Sequence, residues 1–268
     1  MLYKFWHVLK LVWIERMAYR VNFLLEVVSG IASSLIVVFL WLAIYRGAGR
    51  ELIGGYTAAE MVTYLLGCGL INTFILNTAE NPETSQSIQE GTLSGMLIQP
   101  ISPYGIWFVR DMGSKAFFLV LGLVSYLIVF FFFRAYLVVS IGPQYLLLFV
   151  ISILMAVVLQ FLLFEALSLL AFWIENTYGI RFTMRVIMEV VGGAIIPLSF
   201  FPQFLQKVFS FLPFPYMIYL PMRIYLEKIA PDQILVEFLK EAGWIAGLSL
   251  LNGYVWKKGV RQYMAMGD

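Results

Sequence analysis

Few residues in this chain have side chains that support catalysis or metal binding. His7 is the only histidine, which excludes paired-histidine metal sites and argues against a histidine-based catalytic triad. No Gly-x-x-x-x-Gly-Lys-Ser/Thr phosphate loop occurs, so the chain is not expected to hydrolyse ATP unaided. The aspartates Asp111, Asp232 and Asp268 lie outside the long apolar runs, which argues against an intramembrane aspartyl protease. We therefore predict no catalytic residue, no metal site and no cofactor bound by this chain.

Two glutamates stand inside apolar runs and are the first candidates for a functional role. Glu165 and Glu189 would each bring a charge into the bilayer, which costs several kcal/mol on insertion scales. One interpretation is that they pair with Arg181 and Arg185 and fix the packing of two neighbouring helices. The other is that they line a substrate path or a cation relay. The residues leave both interpretations open.

The elements that position these residues must be membrane helices, because the composition does not suit a soluble surface. Hydrophobic residues make up 61% of the chain, charged residues make up 13%, and the mean hydropathy is +0.86. A soluble domain carries about a quarter charged residues. The net charge of +2 is too small for a nucleic-acid surface, so no nucleic-acid partner is expected.

Apolar runs of about 20 residues predict an all-α integral membrane protein with six transmembrane helices. They cover residues 24–45, 58–79, 115–133, 144–173, 186–202 and 238–256. Residues 1–22 alternate bulky apolar and basic side chains, which predicts an amphipathic helix on the membrane surface. No repeat or linker divides the chain, so residues 1–268 are predicted to form a single transmembrane domain.

The segment 197–231 contains six of the ten prolines and interrupts the fifth predicted span. Proline at this density breaks a regular helix, and irregular backbone at membrane depth persists only where protein or water covers it. We therefore predict short broken helices that enter one membrane face. Before them, Gly192, Gly193 and Pro197 would allow close helix approach and a kink, either for packing or as a hinge at the mouth of a path.

Lysine and arginine residues are distributed unevenly between the segments that connect the predicted spans. With a cytoplasmic N-terminus, 11 of them fall on the cytoplasmic side and 7 on the other side. Because basic residues accumulate on the cytoplasmic side of membrane proteins, both termini are predicted to lie in the cytoplasm.

A hydrophilic segment, residues 80–110, separates the second and third predicted spans and would face the cytoplasm. Within it, Leu93, Met96 and Leu97 recur at helical spacing, and two prolines end the pattern. This spacing predicts a short amphipathic helix parallel to the membrane. The alternative is an ordinary interfacial loop.

Two motifs in this arrangement resemble the permease subunits of ABC type 2 transporters. The first is similar to a Gly-x-Leu…Leu-x-x-Pro pattern and reads Glu90-Gly91-Thr92-Leu93, then Leu97-Ile98-Gln99-Pro100-Ile101-Ser102. The second is similar to a broken segment before the last span and reads Ile196-Pro197-Leu198-Ser199-Phe200-Phe201-Pro202, then Phe211-Leu212-Pro213-Phe214 and Tyr219-Leu220-Pro221. Together with the order of the spans, the resemblance covers nearly the whole chain.

The resemblance implies a role for each part of the chain. The hydrophilic segment would be a coupling helix that docks on a separate ATPase subunit, flanked by the N-terminal helix. The coupling residues would be Ser87, Ile88, Gln89, Glu90, Gly91, Thr92, Leu93 and Met96. The Pro-rich segment would cap the path on the outer side through Phe201, Pro202, Pro213, Phe214 and Pro221.

The resemblance also implies partners, a location and a direction of transport. Two ATPase subunits would carry ATP and Mg, and a second permease chain, identical or paralogous, would complete the path among the lipids of the plasma (inner) membrane. Because members of this family are mostly exporters, the implied function is export. The cargo could be a lipid, a drug, a peptide or a glycan-like molecule, and no residue chooses among them.

Two other classes of protein remain as alternatives. An ATP-independent secondary transporter or channel would have ionisable groups near the midplane and often an internal repeat, and no repeat is visible here. A membrane-embedded enzyme is disfavoured by the scarcity of histidine and aspartate.

Overall fold

A computed structural model of the protein describes residues 2–17, 20–79, 81–100, 102–138 and 140–265. Within these residues every regular element is a helix and there is no strand, which confirms the predicted all-α fold. The helices are α1 (Leu2–Met17), α2 (Arg20–Ala48), α3 (Ala58–Ile75), α4 (Glu83–Gln89), α5 (Leu93–Leu97), α6 (Pro103–Phe133), α7 (Pro143–Ser168), α8 (Tyr178–Val191), α9 (Gln203–Phe209), α10 (Phe214–Met217), α11 (Tyr219–Tyr225) and α12 (Pro231–Ala265).

Four helical segments of the described chain are long and apolar enough to cross a membrane. They are Leu25–Ala48, Ala58–Gln89, Pro103–Tyr136 and Pro143–Phe172, and they contain most of the first four predicted spans. The protein is therefore a membrane protein, in agreement with its composition.

Helix α6 begins earlier than the sequence predicted. It starts at Pro103, whereas the third span was expected from residue 115 and the hydrophilic segment was expected to continue to residue 110. Proline suits the first turn of a helix because its fixed φ matches and its missing N–H is not needed there. The sequence prediction ended each span at the first charged residues, whereas α6 continues past them.

The predicted fifth span, 186–202, is not a continuous helix. Helix α8 has 14 residues, so it is about 21 Å long, against about 30 Å for a hydrocarbon core. It ends because the Gly192 N–H donates to Met188 O and Gly193 has a φ of 80°, a left-handed conformation that stops a helix. The sixth prediction, 238–256, lies within α12, whose 35 residues span about 50 Å.

Short helices occupy the Pro-rich segment. Helices α9, α10 and α11 follow one another between Gln203 and Tyr225, and α10 and α11 pack on α7. Within this segment, the side chains of Met217, Ile218 and Ile224 are fully buried in the main core. This irregular backbone is therefore covered by protein on its inner side.

Helix α1 lies against the first half of α6. Trp13 makes an edge-to-face contact with Phe117 at a centroid distance of 5.7 Å, and Val12 is buried. A Cβ atom added to Gly113 of α6 would lie 2.9 Å from Leu9 Cδ2, so the glycine allows the two helices to approach. The helix was predicted over 1–22, of which Met1, Ala18 and Tyr19 lie outside the described residues.

Candidate functional site

The hydrophilic connection between α3 and α6 folds into a helix-turn-helix unit, residues 81–98, which we call the α4–α5 segment. Helix α4 is capped by Glu90, and Gly91 then turns the chain with a φ of 79° before α5. A left-handed φ costs glycine little and strains most other residues. The glycine of the Glu90-Gly91-Thr92-Leu93 motif therefore makes the turn between α4 and α5.

The α4–α5 segment has an inner and an outer face. The buried side chains are Thr84, Ser85, Ser87, Ile88 and Leu93, and Met96 is half-buried. The exposed residues include Gln86, Gln89, Glu90, Gly91, Thr92 and Ile98. The predicted coupling residues are thus divided between the two faces. Ile98, which the prediction missed, is an apolar side chain with 86% of its surface exposed.

Four aromatic side chains, which we call the aromatic base, support the inner face. They are Trp107 of α6, Phe172 after α7, and Trp256 and Tyr263 of α12. Leu93 is fully buried in this cluster. Tyr263 also lies within hydrogen-bond distance of α5, 3.0 Å from Ser94 Oγ to its hydroxyl oxygen. The segment is therefore attached to the ends of three long helices.

Packing of the aromatic base requires a glycine at position 259. A Cβ atom there would lie 2.1 Å from Cδ2 of Phe172, whereas one at Gly253 of the same helix would meet nothing within 4 Å. We expect Gly259→Ala to destabilise the protein by about 1–3 kcal/mol, because the ring must move out of a packed site. Gly253→Ala should instead be neutral or stabilising by up to about 1 kcal/mol, since alanine favours helix.

Thermal unfolding of the two purified glycine variants in detergent measures this difference. Equal unfolding temperatures for Gly259→Ala and Gly253→Ala would contradict the packing described for Phe172.

Glu165 joins α7 to the α4–α5 segment. Its carboxylate is buried, and Oε2 accepts a hydrogen bond from Thr84 Oγ1 at 3.0 Å. The Gln89 amide donates to the carbonyl of Glu175, between α7 and α8. Glu165, which was predicted either to pack helices or to line a path, thus contacts the inner face of the α4–α5 segment.

Glu189, the second predicted glutamate, has a different environment. It pairs with Arg185 at 3.3 Å from Oε1 to Nε, four residues earlier on the same helix. The expected pairing with arginine is present for Glu189, but it lies within one helix instead of between two. Glu165 instead accepts a hydrogen bond from Thr84 of α4, so the two glutamates contact different helices.

A buried ion pair lies beside the start of the segment. Lys115 and Asp111 of α6 pair through Nζ and Oδ2, and Lys115 Nζ also donates to Thr78 Oγ1 at 2.8 Å. The Lys115 side chain has only 1% of its surface exposed. Sequence reasoning missed this pair because it placed Asp111 outside the third span. The i, i+4 spacing of opposite charges was the available signal.

Two arginines connect the segment to further helices. Arg110 of α6 pairs with Glu83 of α4 at 2.6 Å and with Glu15 of α1 at 3.0 Å. Arg181 of α8 is buried and donates from Nη1 to the Asn81 carbonyl at 2.6 Å. With Glu165, these contacts link the α4–α5 segment to α1, α6, α7 and α8.

The remaining predicted path residues lie at the end of α8 and shortly after it. The Gly193 carbonyl accepts a hydrogen bond from the buried Tyr64 hydroxyl at 2.6 Å. A Cβ atom at Gly192 would lie 2.4 Å from the Met188 carbonyl oxygen, and Pro197 is buried at the start of a short 3-10 turn. Gly192 and Gly193 therefore end α8, and the Gly193 carbonyl makes its contact with α3.

The predicted outer-cap residues differ in burial. Pro213, Phe214 and Pro221 are buried, Phe201 is half-buried and Pro202 is exposed. Phe201 contacts Phe209 edge to face at 5.4 Å between centroids. In the described part of the chain, no group of three or more His, Cys, Asp or Glu side chains is placed to hold a metal ion.

The described chain thus forms an all-helical membrane protein with an anchored hydrophilic segment between two membrane helices. Residues 31–267 match the family described as ABC-2 family transporter protein. Because the match covers most of the chain, this protein belongs to the ABC-2 transporter family, and the resemblance to its permeases is confirmed. Such permeases are transport components, not enzymes themselves, and normally work with an ABC ATPase. No curated protein matches the chain.

Proposed function

We propose that this chain is the permease subunit of an ATP-driven exporter and that the α4–α5 segment docks on a separate ATPase subunit. Two ATPase subunits bind ATP and Mg, and this chain itself binds neither. Two permease chains, identical or paralogous, form the substrate path between them. The cargo is a lipid, a drug, a peptide or a glycan-like molecule.

The anchoring of the α4–α5 segment is the observation that supports this proposal. Its inner face is bound through the aromatic base and through the contacts of Glu165, Arg110 and Arg181. Its outer face presents Glu90 and Ile98. A force applied to the outer face would therefore reach several membrane helices at once, as coupling to an ATPase requires.

The proposed topology has six crossings in one transmembrane domain, with both termini in the cytoplasm of a cell whose plasma (inner) membrane holds the protein. Helix α8 and the Pro-rich segment 197–231 together make the fifth crossing and the outer cap. Helix α12 makes the sixth. The basic residues on the cytoplasmic side support this orientation.

Membership in the family counts against the two alternative classes, an ATP-independent transporter or channel and a membrane-embedded enzyme. The glutamates do not favour them either. Glu165 is hydrogen-bonded to Thr84 of α4, and Glu189 is paired with Arg185 of its own helix. Neither contact forms part of a chain of ionisable groups across the membrane.

Labelling of cysteines in intact cells tests the orientation of the α4–α5 segment. Cys68, the only native cysteine, is buried and is replaced by serine first. We expect Glu51→Cys, in the connection between α2 and α3, to react with a membrane-impermeant maleimide in intact cells. Glu90→Cys should react only after the membrane is permeabilised. Labelling of Glu90→Cys from outside would overturn the proposal, because ATP is available only inside.

A further inference from the structure

A polar groove lies among α2, α3 and α6, and none of its lining residues belongs to the α4–α5 segment. Its volume is about 520 Å³, within the range of about 300–1,000 Å³ typical of ligand pockets. The polar side chains from the first two helices are Glu26, Ser29, Ser33, Asn72, Thr73 and Asn77. Sequence reasoning did not single out any of them.

The polar groups follow from the helical spacing. Glu26, Ser29 and Ser33 are separated by three and four residues, so they share one face of α2. Thr73 lies near the end of α3, and Asn77, four residues later, lies in the 3-10 turn that follows it. Both sets belong to the ends of α2 and α3 that the proposed topology places toward the cytoplasm, where an exporter takes up its cargo.

The back of the groove is closely packed. A Cβ atom at Gly69 of α3 would lie 2.0 Å from the Tyr126 hydroxyl oxygen, and one at Gly122 of α6 would lie 3.0 Å from Leu70 Cδ1. On α2, a Cβ atom at Gly30 would lie 3.4 Å from Ser125 Oγ. The groove is therefore a cleft in a tightly packed three-helix unit and not a gap between loosely associated helices.

Polar groups in this groove need a partner. Among the described residues, the side chains of Glu26, Asn72 and Asn77 make no hydrogen bond or ion pair. Polar groups facing lipid without a partner cost several kcal/mol each, so water, protein or a polar ligand must occupy the groove. A helix interface rich in small residues usually closes completely, whereas this cleft stays open.

We propose that this groove binds the polar part of the cargo and that this part is a neutral, hydroxyl-rich group such as a sugar. The inference rests on the proposed function. The carboxylate of Glu26, two amides and several hydroxyls offer acceptors and donors suited to hydroxyl groups. No lysine or arginine lines the groove to balance a phosphate.

Cysteine protection tests this proposal in proteoliposomes. Ser33→Cys, made in the Cys68→Ser background, reports on the groove, and Ile36→Cys is the control, since 66% of Ile36 is exposed on the same helix outside the groove lining. A small water-soluble methanethiosulfonate should modify Ser33→Cys and not Ile36→Cys, because thiolates form in water and not in lipid. Asn72→Cys serves as a second reporter.

Dodecyl maltoside, dodecyl phosphate and dodecyltrimethylammonium, each below its critical micelle concentration, are the three probes. Dodecyl maltoside should slow the modification of Ser33→Cys about tenfold when present at about ten times its dissociation constant. The two charged amphiphiles should have no such effect.

Three results would overturn the proposal. If Ser33→Cys and Asn72→Cys both stay unreactive, the groove is sealed, for example by a second permease chain. If all three amphiphiles protect equally, the groove does not select a head group. If only a charged amphiphile protects, the chemical class is wrong. The assay needs neither ATP nor an ATPase. The groove proposal can therefore fail while the α4–α5 segment still docks on an ATPase, and docking can fail while the groove still binds a sugar head group.

Discussion

Asp111→Asn is expected to destabilise the protein by about 3–5 kcal/mol, because it leaves the ammonium group of Lys115 buried without its counter-charge. Lys115 has 1% of its side chain exposed, and its other neighbour, Thr78, is neutral. Asparagine has nearly the size and shape of aspartate, so the loss of charge is separated from a loss of packing. Thermal unfolding of the purified variant in detergent, followed by size exclusion, measures the effect.

Two control variants separate the effect of a buried unpaired charge from the effect of losing an ion pair in general. Asp111→Asn combined with Lys115→Met should recover most of the lost stability, since no unpaired charge then remains. Glu237→Gln breaks an ion pair with Lys240, which is 47% exposed, and should cost at most about 1 kcal/mol. If Asp111→Asn lowered the free energy of unfolding no more than Glu237→Gln does, the buried ion pair beside the α4–α5 segment would not be stabilising.

Glu90→Lys is expected to weaken binding of the ATPase subunit by about tenfold to a hundredfold without lowering stability. Glu90 is exposed at the Gly91 turn and makes no hydrogen bond through its side chain within the described residues. Charge reversal there changes the outer face alone. ATP hydrolysis should consequently become uncoupled from transport.

Leu93→Gln should uncouple the two activities by a different route. Leu93 is fully buried against the aromatic base, so a polar side chain should detach α5 and lower stability by about 2–5 kcal/mol. Binding of the ATPase in detergent and thermal unfolding, measured together, separate the two mechanisms. Glu51→Lys makes the same charge change at an exposed position before α3 and should affect neither quantity. If ATP hydrolysis stayed coupled to transport in both Glu90→Lys and Leu93→Gln, the α4–α5 segment would not be the docking site of the ATPase.

Sequence reasoning predicted those features that depend on local composition. The apolar runs located four membrane helices, because a long uncharged segment has few alternatives in lipid. The spacing of Leu93 and Met96 identified the inward side of α5. The turn that Gly91 makes with its positive φ was not predicted, because the motif was interpreted as part of one coupling helix.

Features that depend on tertiary contacts were missed. Arg181 and Asn81 are separated by 100 positions, and no periodicity relates them. Gly259 is needed because Phe172, from another part of the chain, packs on it. The end of α8 at Gly193 was mistaken for a kink within a span, since a glycine pair is compatible with both.

The buried charges of α6 show a further limit. Counting uncharged residues ends a span at Asp111 and Lys115, although the two neutralise each other inside the helix. Sequence reasoning also missed the polar groove, for a similar reason. Glu26, Ser29 and Ser33 are scattered among apolar residues in the sequence and form a continuous surface only beside α3.

The central claim is that the outer face of the α4–α5 segment binds an ABC ATPase. The most direct measurement is co-purification of the tagged chain from its native membrane, followed by identification of any soluble protein that carries a phosphate loop. We predict that the wild-type chain and Glu51→Lys retain such an ATPase in equal amounts and that Glu90→Lys loses it. Recovery of the wild-type chain without an ATPase, or equal retention by Glu90→Lys, would contradict the claim.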